Sequence, residues 1–496
     1  MFNVVDKLFI ILNFKYYIMK NSIFLVSAFL LLLWSGCNFV VDSSKKKADS
    51  ALSAVMQDSA MVRAAGNYAN FCASCHWDDL GWFKVHKWKY GSREEDIYNS
   101  IEVGYSDFGM LGYADTLSEQ EMTDLSKFIF LKLELKEREE FKKEQGLYFT
   151  EELQIRPDTI ITGLNIPWGM AFLPDGDILV NEREGMMLRY RNGILVAEIK
   201  GLPEIHADGQ GGLMDIRLHP DYKSNGWIYF AYTGVAKKGQ EGWNTSVMRA
   251  KLKDNELVEK QLLFEGIPAL TANYHFGCKI TFDGRGHFFF GVGERGTMKK
   301  VHELSNDWGK VHRLNDDGSI PEDNPFVKTP GARPSIWSCG HRNPQGLVVS
   351  PFDGTLWESE HGPKGGDELN LIEPGKNYGW PYITFGINYN GKIISPDTAM
   401  AGMEQPATYW IPSFAPCGMT FVTGEKYKNW EGDILMGSLR FRNLVRVKLK
   451  DGKVIHKEAL LNNIGRMRNV EESPDGFIYV SLESPGMIIR LVPVME

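Results

Sequence analysis

Between about residue 153 and residue 494 the chain keeps returning to one pattern, a turn dipeptide followed by a short apolar and aromatic run. The first instances are Asp175-Gly176 before Asp177-Ile178-Leu179-Val180, Asn225-Gly226 before Trp227-Ile228-Tyr229-Phe230, and Asp283-Gly284 before His287-Phe288-Phe289-Phe290. Asp353-Gly354 before Thr355-Leu356-Trp357, Glu431-Gly432 before Asp433-Ile434-Leu435-Met436, and Asp475-Gly476 before Phe477-Ile478-Tyr479-Val480 complete the set. Glycine supplies the left-handed backbone of a tight turn, and β-branched and aromatic residues suit a pleated, half-buried surface, so each unit predicts a turn leading into a strand. Six units about 45 to 80 residues apart suggest the blades of a β-propeller over 155–496, although spacing alone leaves the blade count open. In such a fold the polar loops at one mouth of the central channel usually carry function.

Upstream the periodicity changes. Met61 to Ala73 has helical composition, and Met122, Leu125, Phe128, Ile129 and Leu133 recur at helical spacing after Ser118 and Glu121, a capping box. A small all-α domain is therefore expected over 61–133. Residues 134–154 are densely charged, with Lys136-Glu137-Arg138-Glu139-Glu140 and Lys142-Lys143-Glu144, and read as a linker with i,i+4 ion pairs. At the N-terminus Lys20 precedes the apolar run Ile23 to Leu33, too short to span a bilayer but suited to a signal peptide. Met19 is a second candidate start. Trp34-Ser35-Gly36-Cys37 resembles a bacterial lipoprotein cleavage box, with Trp34 where an aliphatic residue is usual. Residues 1–36 are then a lipoprotein signal, Cys37 carries the lipid, and 37–60 is a polar tether. The alternative is a plain secretory signal in which Cys37 has no role. The expected location is periplasmic or cell-surface, anchored to a bacterial membrane.

Composition adds bounds. Hydrophobic residues make up 43% of 496, enough to bury a large core in two or more domains. The formal charge is -8, and removing three Lys and one Asp with residues 1–36 makes it -10. With no extensive basic tract, a nucleic-acid partner is not expected. Of six cysteines, Cys278, Cys339 and Cys417 have no assignment, and three thiols cannot all pair internally.

The other two assigned thiols lie in Phe71-Cys72-Ala73-Ser74-Cys75-His76. Cys-x-x-Cys-His is the attachment signature of haem c: Cys72 and Cys75 bond the vinyl groups and His76 ligates the iron. A redox dithiol followed by an incidental histidine is the competing reading. Gly109-Met110-Leu111-Gly112-Tyr113 ahead of the last helix resembles class I cytochrome c. That resemblance implies Met110 as the distal iron ligand, with His86 the rival. Leu111 stands where the family often has proline.

The propeller loops hold polar, glycine-rich clusters: Ile166-Pro167-Trp168-Gly169-Met170, Gly209-Gln210-Gly211-Gly212, His275-Phe276-Gly277 and Gly293-Glu294-Arg295. Further on come Gly340-His341-Arg342-Asn343-Pro344-Gln345-Gly346, Glu360-His361-Gly362-Pro363, Asp367-Glu368, Asn377-Tyr378-Gly379-Trp380-Pro381 and Arg466-Met467-Arg468. This ordered set resembles the soluble glucose and aldose sugar dehydrogenases that use pyrroloquinoline quinone (PQQ), a family with a six-bladed propeller. The resemblance implies His275 as the general base on the sugar C1 hydroxyl, oriented by Glu294. It implies Gln210, Arg342, Asn343, Arg440, Arg466 and Arg468 as PQQ contacts, with Arg440 where the family has lysine. Three PQQ carboxylates call for cations that hydrogen-bond in a fork, and Arg466 and Arg468 alternate so as to share one face of a strand.

By the same resemblance, the carbonyls of Gly362 and Pro363 bind calcium against the quinone, and Asp367, Glu368 and Tyr378 match a second calcium region. Cys278-Lys279 departs from the family pattern and puts the pocket shape in question. The combined expectation is an enzyme that oxidises an aldose to a lactone and passes electrons from PQQ to the haem in the same chain, then to a downstream redox protein or respiratory chain. Three alternatives stand beside it: the same cofactor chemistry on a non-sugar alcohol or keto-aldose, a non-enzymatic binding propeller joined to a cytochrome, and a hydrolase or lactonase propeller.

Overall fold

A computed structural model describes residues 58–76, 94–105, 110–138, 146–236 and 241–494. The signal segment, Cys37, the tether up to residue 57 and His86 lie outside the described residues, as does the side chain of Cys75. Among the described residues no helix is long and apolar enough to cross a membrane.

Six sheets make a propeller. Blade 1 spans Pro167–Phe172 to Ile194–Glu198, blade 2 Leu213–Leu218 to Glu256–Glu265, and blade 3 Ile280–Phe282 to Ile336–Cys339. Blade 4 spans Pro344–Val349 to Thr408–Trp410, and blade 5 Pro416–Phe421 to Lys453–Leu460. Blade 6 takes its first three strands, Arg466–Glu472, Ile478–Ser484 and Met487–Val494, from the C-terminus. Its fourth, Gln154–Thr162, and a fifth, Tyr148–Phe149, come from the other end of the domain. Chain closure is thus a sheet contact, with Met487 opposite Thr162 and Val494 opposite Gln154. The charged run feeds directly into this seam: Glu152 accepts from Arg446 Nη1 at 2.6 Å and Lys448 Nζ at 2.7 Å, tying it to blade 5.

Each of the six predicted turns leads into the second strand of a blade. Their glycines, Gly176, Gly226, Gly284, Gly354, Gly432 and Gly476, all have φ between 67 and 88°, where a Cβ is strained. Antiparallel order places these turns at one mouth of the channel. The links between second and third strands, and from each outer strand to the next blade, fall at the opposite mouth. Apolar faces pack blade against blade: Val422, Leu435 and Leu444 of blade 5, for example, meet Met467, Val470 and Ile489 of blade 6.

Lys279 is 1% exposed, in the channel beneath the second mouth. Its ammonium donates to Asp215 Oδ1 at 2.7 Å, Asn469 Oδ1 at 2.7 Å and Glu471 Oε1 at 3.3 Å, so blades 2, 3 and 6 meet on one cation. The residue therefore ties blades together rather than shaping a pocket, and Cys278 beside it lies in the apolar core. Lys279→Met leaves Asp215 and Glu471 short of a partner in a buried site and is expected to cost about 3–5 kcal/mol, read by chemical denaturation. Cys278, Cys339 and Cys417 are separate buried thiols.

The helical region has its own core, in which Met61, Ala64, Tyr68, Ile97, Ile101, Leu117, Met122, Leu125, Phe128 and Ile129 are buried together. The helix Glu119–Arg138 starts at the anticipated box: Ser118 N donates to Glu121 Oε2 at 2.9 Å, and Glu121 N to Ser118 Oγ at 3.3 Å. Cys72 and His76 lie on consecutive helical turns, with Tyr68 Oη donating to the His76 carbonyl at 3.0 Å. Burial holds the His76 pKa down to about 4, so the imidazole is neutral at pH 7. Met110 sits in a two-residue strand opposite Tyr105.

Candidate active site

Most of the propeller residues singled out in the sequence collect at the second mouth because they sit on links or strand ends that open there, whereas Tyr378 lies on the link between the third and fourth strands of blade 4. Gln210 lies between blades 1 and 2, His275 between blades 2 and 3, and Arg342-Asn343 between blades 3 and 4. Glu294, Gly362-Pro363 and Arg440 follow the second strands of blades 3, 4 and 5, and Arg466 and Arg468 begin the first strand of blade 6.

His275 Nδ1 is 2.6 Å from Glu294 Oε1, and Glu294 Oε2 accepts from Met298 N at 2.6 Å. A carboxylate on Nδ1 makes that nitrogen the protonated one, so the lone pair belongs to Nε2. Burial, then the Arg342 charge, pulls the His275 pKa below the ordinary imidazole value, while Glu294 opposes the shift. The lowered pKa favours the neutral ring at pH 7. Its backbone has φ of 55°, an uncommon setting for a residue with a Cβ. Gln210 holds it there: its Oε1 accepts from His275 N at 2.9 Å, and its own N donates to Asn273 O at 2.8 Å.

Arg466 and Arg468 share one carboxylate. Arg466 Nε donates to Glu483 Oε2 at 2.5 Å, and Arg468 pairs with Glu483 Oε1. The two guanidinium groups hold the Glu483 pKa down to about 2 even though burial works the other way. Burial pulls Arg466 down to about 10, with Arg468 adding like-charge repulsion against the pull of Glu483. Two largely buried cations thus share this one carboxylate. Arg468 Nη1 donates to Gln345 Oε1 at 2.9 Å, Gln345 Nε2 to Gly277 O at 2.9 Å, and Gly277 N to Asn343 Oδ1 at 3.3 Å. Blade 6 is thereby connected to the turn carrying His275.

Arg342 Nη1 donates to the carbonyls of His361 at 3.0 Å and Gly362 at 2.8 Å, its guanidinium lies 5.2 Å from the Trp380 ring centre, and its buried Nε has no partner among the described residues. Glu360 accepts from the backbone N–H groups of Arg342 and Asn343. Burial first, then Arg468, Arg342 and His275, drives the His361 pKa well below its usual value. Arg440 reaches Ser413 O at 3.1 Å, and the carbonyl of neighbouring Leu439 accepts from Arg466. This concentration of donors and positive charge fits a polycarboxylate.

Asp367 is a brace. Its oxygens accept from Gly362 N, Ser413 Oγ, Phe414 N and Ala415 N at 2.7–2.8 Å, fixing the Gly362-Pro363 loop. The Tyr378 hydroxyl is likewise committed, to Leu371 O and Glu373 N. Glu368 instead joins an acidic group: Asn370 Nδ2 lies 3.1 Å from Glu358, 3.3 Å from Glu360 and 3.4 Å from Glu368. His341, Glu358 and Glu360 bring ligand atoms within 4.8 Å of one another. Burial, and then the charge of Glu360, pushes the pKa values of Glu358 and Glu368 well up.

Sequence reasoning missed Glu483, Gln345 and Glu360 as partners of these residues. Their contacts join positions 15 to 123 residues apart, which no local motif announces.

A family model described as "Glucose / Sorbosone dehydrogenase" matches residues 164–490, blades 1 to 5 and the C-terminal strands of blade 6. The chain belongs to this family. Within it, the chain is 39% identical to aldose sugar dehydrogenase YliI of Escherichia coli over 338 residues, covering 66% of this chain and 91% of the relative. It is 32% identical to quinoprotein glucose dehydrogenase B of Acinetobacter calcoaceticus, covering 66% and 85% respectively. Among solved structures, the apo aldose sugar dehydrogenase of E. coli superposes with a TM-score of 0.65 at 36% identity, over 68% of this chain and all of that one. The PQQ-bound aldose sugar dehydrogenase of Streptomyces coelicolor gives 0.57 at 29% identity, over 68% and 98%. The family match starts after the helical region and its Cys-x-x-Cys-His motif.

Proposed function

We propose that this family member oxidises the C1 hydroxyl of an aldose with PQQ and calcium, and that its electrons go to a haem c held by Cys72, Cys75 and His76, with Met110 as the distal ligand. The observation that carries the sugar chemistry is the His275–Glu294 pair beside Arg342, at the mouth that also holds Arg440, Arg466 and Arg468. PQQ, when bound, supplies the hydride acceptor. Arg342, Arg440, Arg466 and Arg468 bind and orient its carboxylates, and the Gly362 and Pro363 carbonyls suit a hard cation beside it. Nε2 of His275 takes the sugar C1 hydroxyl proton, while Glu294 stabilises the imidazolium that forms and keeps the ring turned the right way. Titration with PQQ and calcium, followed by a panel of aldoses and non-sugar alcohols with a dye acceptor, tests this reading. Saturable PQQ binding with aldose-dependent dye reduction supports it, and absence of PQQ binding contradicts it.

Glu368, with Glu358 and Glu360, is the part of the second calcium region that offers carboxylate oxygens. Calcium is expected to raise the melting temperature of the protein, and Glu358→Gln to reduce that rise. The location proposed is exported and membrane-anchored through Cys37, with a downstream redox protein taking electrons from the haem.

A further inference from the structure

The haem motif meets the propeller beside the calcium loop. The Lys364 ammonium lies 5.3 Å from the centre of the Phe71 ring. Phe71 immediately precedes Cys72, and Lys364 immediately follows Gly362-Pro363. Both sides of the contact are held in place. The Phe71 carbonyl accepts from Tyr113 Oη at 2.9 Å, and the two rings meet edge to face with centroids 5.7 Å apart. Lys364 exchanges backbone hydrogen bonds with Ile387, at 3.0 and 3.4 Å.

Exposed apolar side chains lie on the segments that flank and pair with the Lys364 loop. Ile387 is 37% exposed, Tyr409 42% and Ile411 63%. Ile411 packs beside Gly365, and Tyr409 pairs across the sheet with Glu368. A cluster of exposed apolar groups bordered by Lys364 and by Lys457, whose ammonium donates to Tyr409 O at 3.2 Å, has the character of a contact surface. The helical region has the complementary sign, since residues 61–133 hold eleven Asp and Glu against seven Lys and Arg, a net charge of -4.

We propose that Lys364, with Ile387, Tyr409 and Ile411, forms the docking surface for the chain's own haem module, and that the Phe71–Lys364 contact is where electrons leave the propeller. This rests on the reading of a quinone site coupled to a haem. With both groups bound, the quinone site would supply two electrons one at a time, each reducing a ferric haem to ferrous, with two protons released to water. An external one-electron redox protein reoxidises the haem between the transfers. Because the modules share a chain, docking is governed by effective concentration rather than by tight binding, and a small interface suffices. It also leaves the haem module free to separate and meet the external acceptor.

Photocrosslinking the full chain with benzoylphenylalanine at position 71 tests the surface without cofactor or sugar. The expected product joins position 71 to a peptide holding Lys364, Ile387 or Ile411 of the same chain. A link to a second chain, or to no propeller peptide, overturns the proposal. In the loaded protein Lys364→Glu is expected to slow haem reduction about tenfold or more and leave dye-linked sugar oxidation unchanged, with Lys364→Arg restoring the rate. Unchanged haem reduction in Lys364→Glu overturns the junction. Absence of dye-linked oxidation in the unaltered protein contradicts the sugar dehydrogenase reading instead, and the crosslink still decides the docking surface.

Discussion

Replacing His275 with glutamine is expected to lower kcat by about 10²–10⁴-fold while PQQ still binds. The side chain is the one base placed against Glu294 at this mouth, and Gln210 pins its backbone from the neighbouring link. A purely structural histidine predicts something different, a loss of folding with no selective loss of turnover. Thermal melting beside steady-state kinetics separates the two. Glu294→Gln gives a graded version of the same test. Glu294 raises the His275 pKa against the lowering by burial and Arg342. Removing that carboxylate therefore shifts the acid limb of kcat/KM to lower pH, even as turnover falls because the imidazolium loses its counterion. A limb that stays put or moves up in pH contradicts the assignment of base and partner.

The second large effect is expected at Arg466 and Arg468. Substituting both with alanine removes two charge-assisted forks, each worth about 1.5–3 kcal/mol, so PQQ affinity is expected to fall about 10²–10⁴-fold. The same change strands Glu483, which is 3% exposed and owes its low pKa to these two arginines. A carboxylate with a depressed pKa contributes stability above its unfolded value and loses it as pH falls toward about 2. The double variant should therefore be less stable at neutral pH and nearly equal to the parent in strong acid. Adding Glu483→Gln should recover stability but not PQQ affinity. Isothermal titration and urea melts at several pH values measure both. Unchanged PQQ affinity in the double variant would place the cofactor elsewhere.

Much of this could be read along the chain because the relevant physics is local. A turn glycine followed by apolar residues specifies a hairpin within ten residues, and all six such signals led into second strands. The capping box at Ser118 and Glu121 is a contact between residues three apart, and it formed as expected. Alternating Arg466 and Arg468 pointed to one face for the same reason.

What escaped depends on closure of the ring. Glu483 meets its arginines only when two strands of blade 6 pair, and Gln345 reaches Arg468 only when blades 4 and 6 face each other across the channel. Lys279 looked like a change in pocket shape because its partners, Asp215, Asn469 and Glu471, belong to two other blades. The fifth strand of blade 6, Tyr148–Phe149, lies inside the charged run that reads as linker by composition. Asp367 matched a second calcium region by position, and its carboxylate accepts from the backbone of Gly362, Phe414 and Ala415, contacts between distant loops.

The most direct test of the central claim is rapid-mixing spectroscopy of the full chain under anaerobic conditions. Protein loaded with PQQ and calcium, mixed with an aldose, is expected to show reduction of its own haem at a rate independent of protein concentration, and none when PQQ is left out. Haem that remains oxidised while a small dye acceptor is reduced by the same sample would contradict transfer between the two modules.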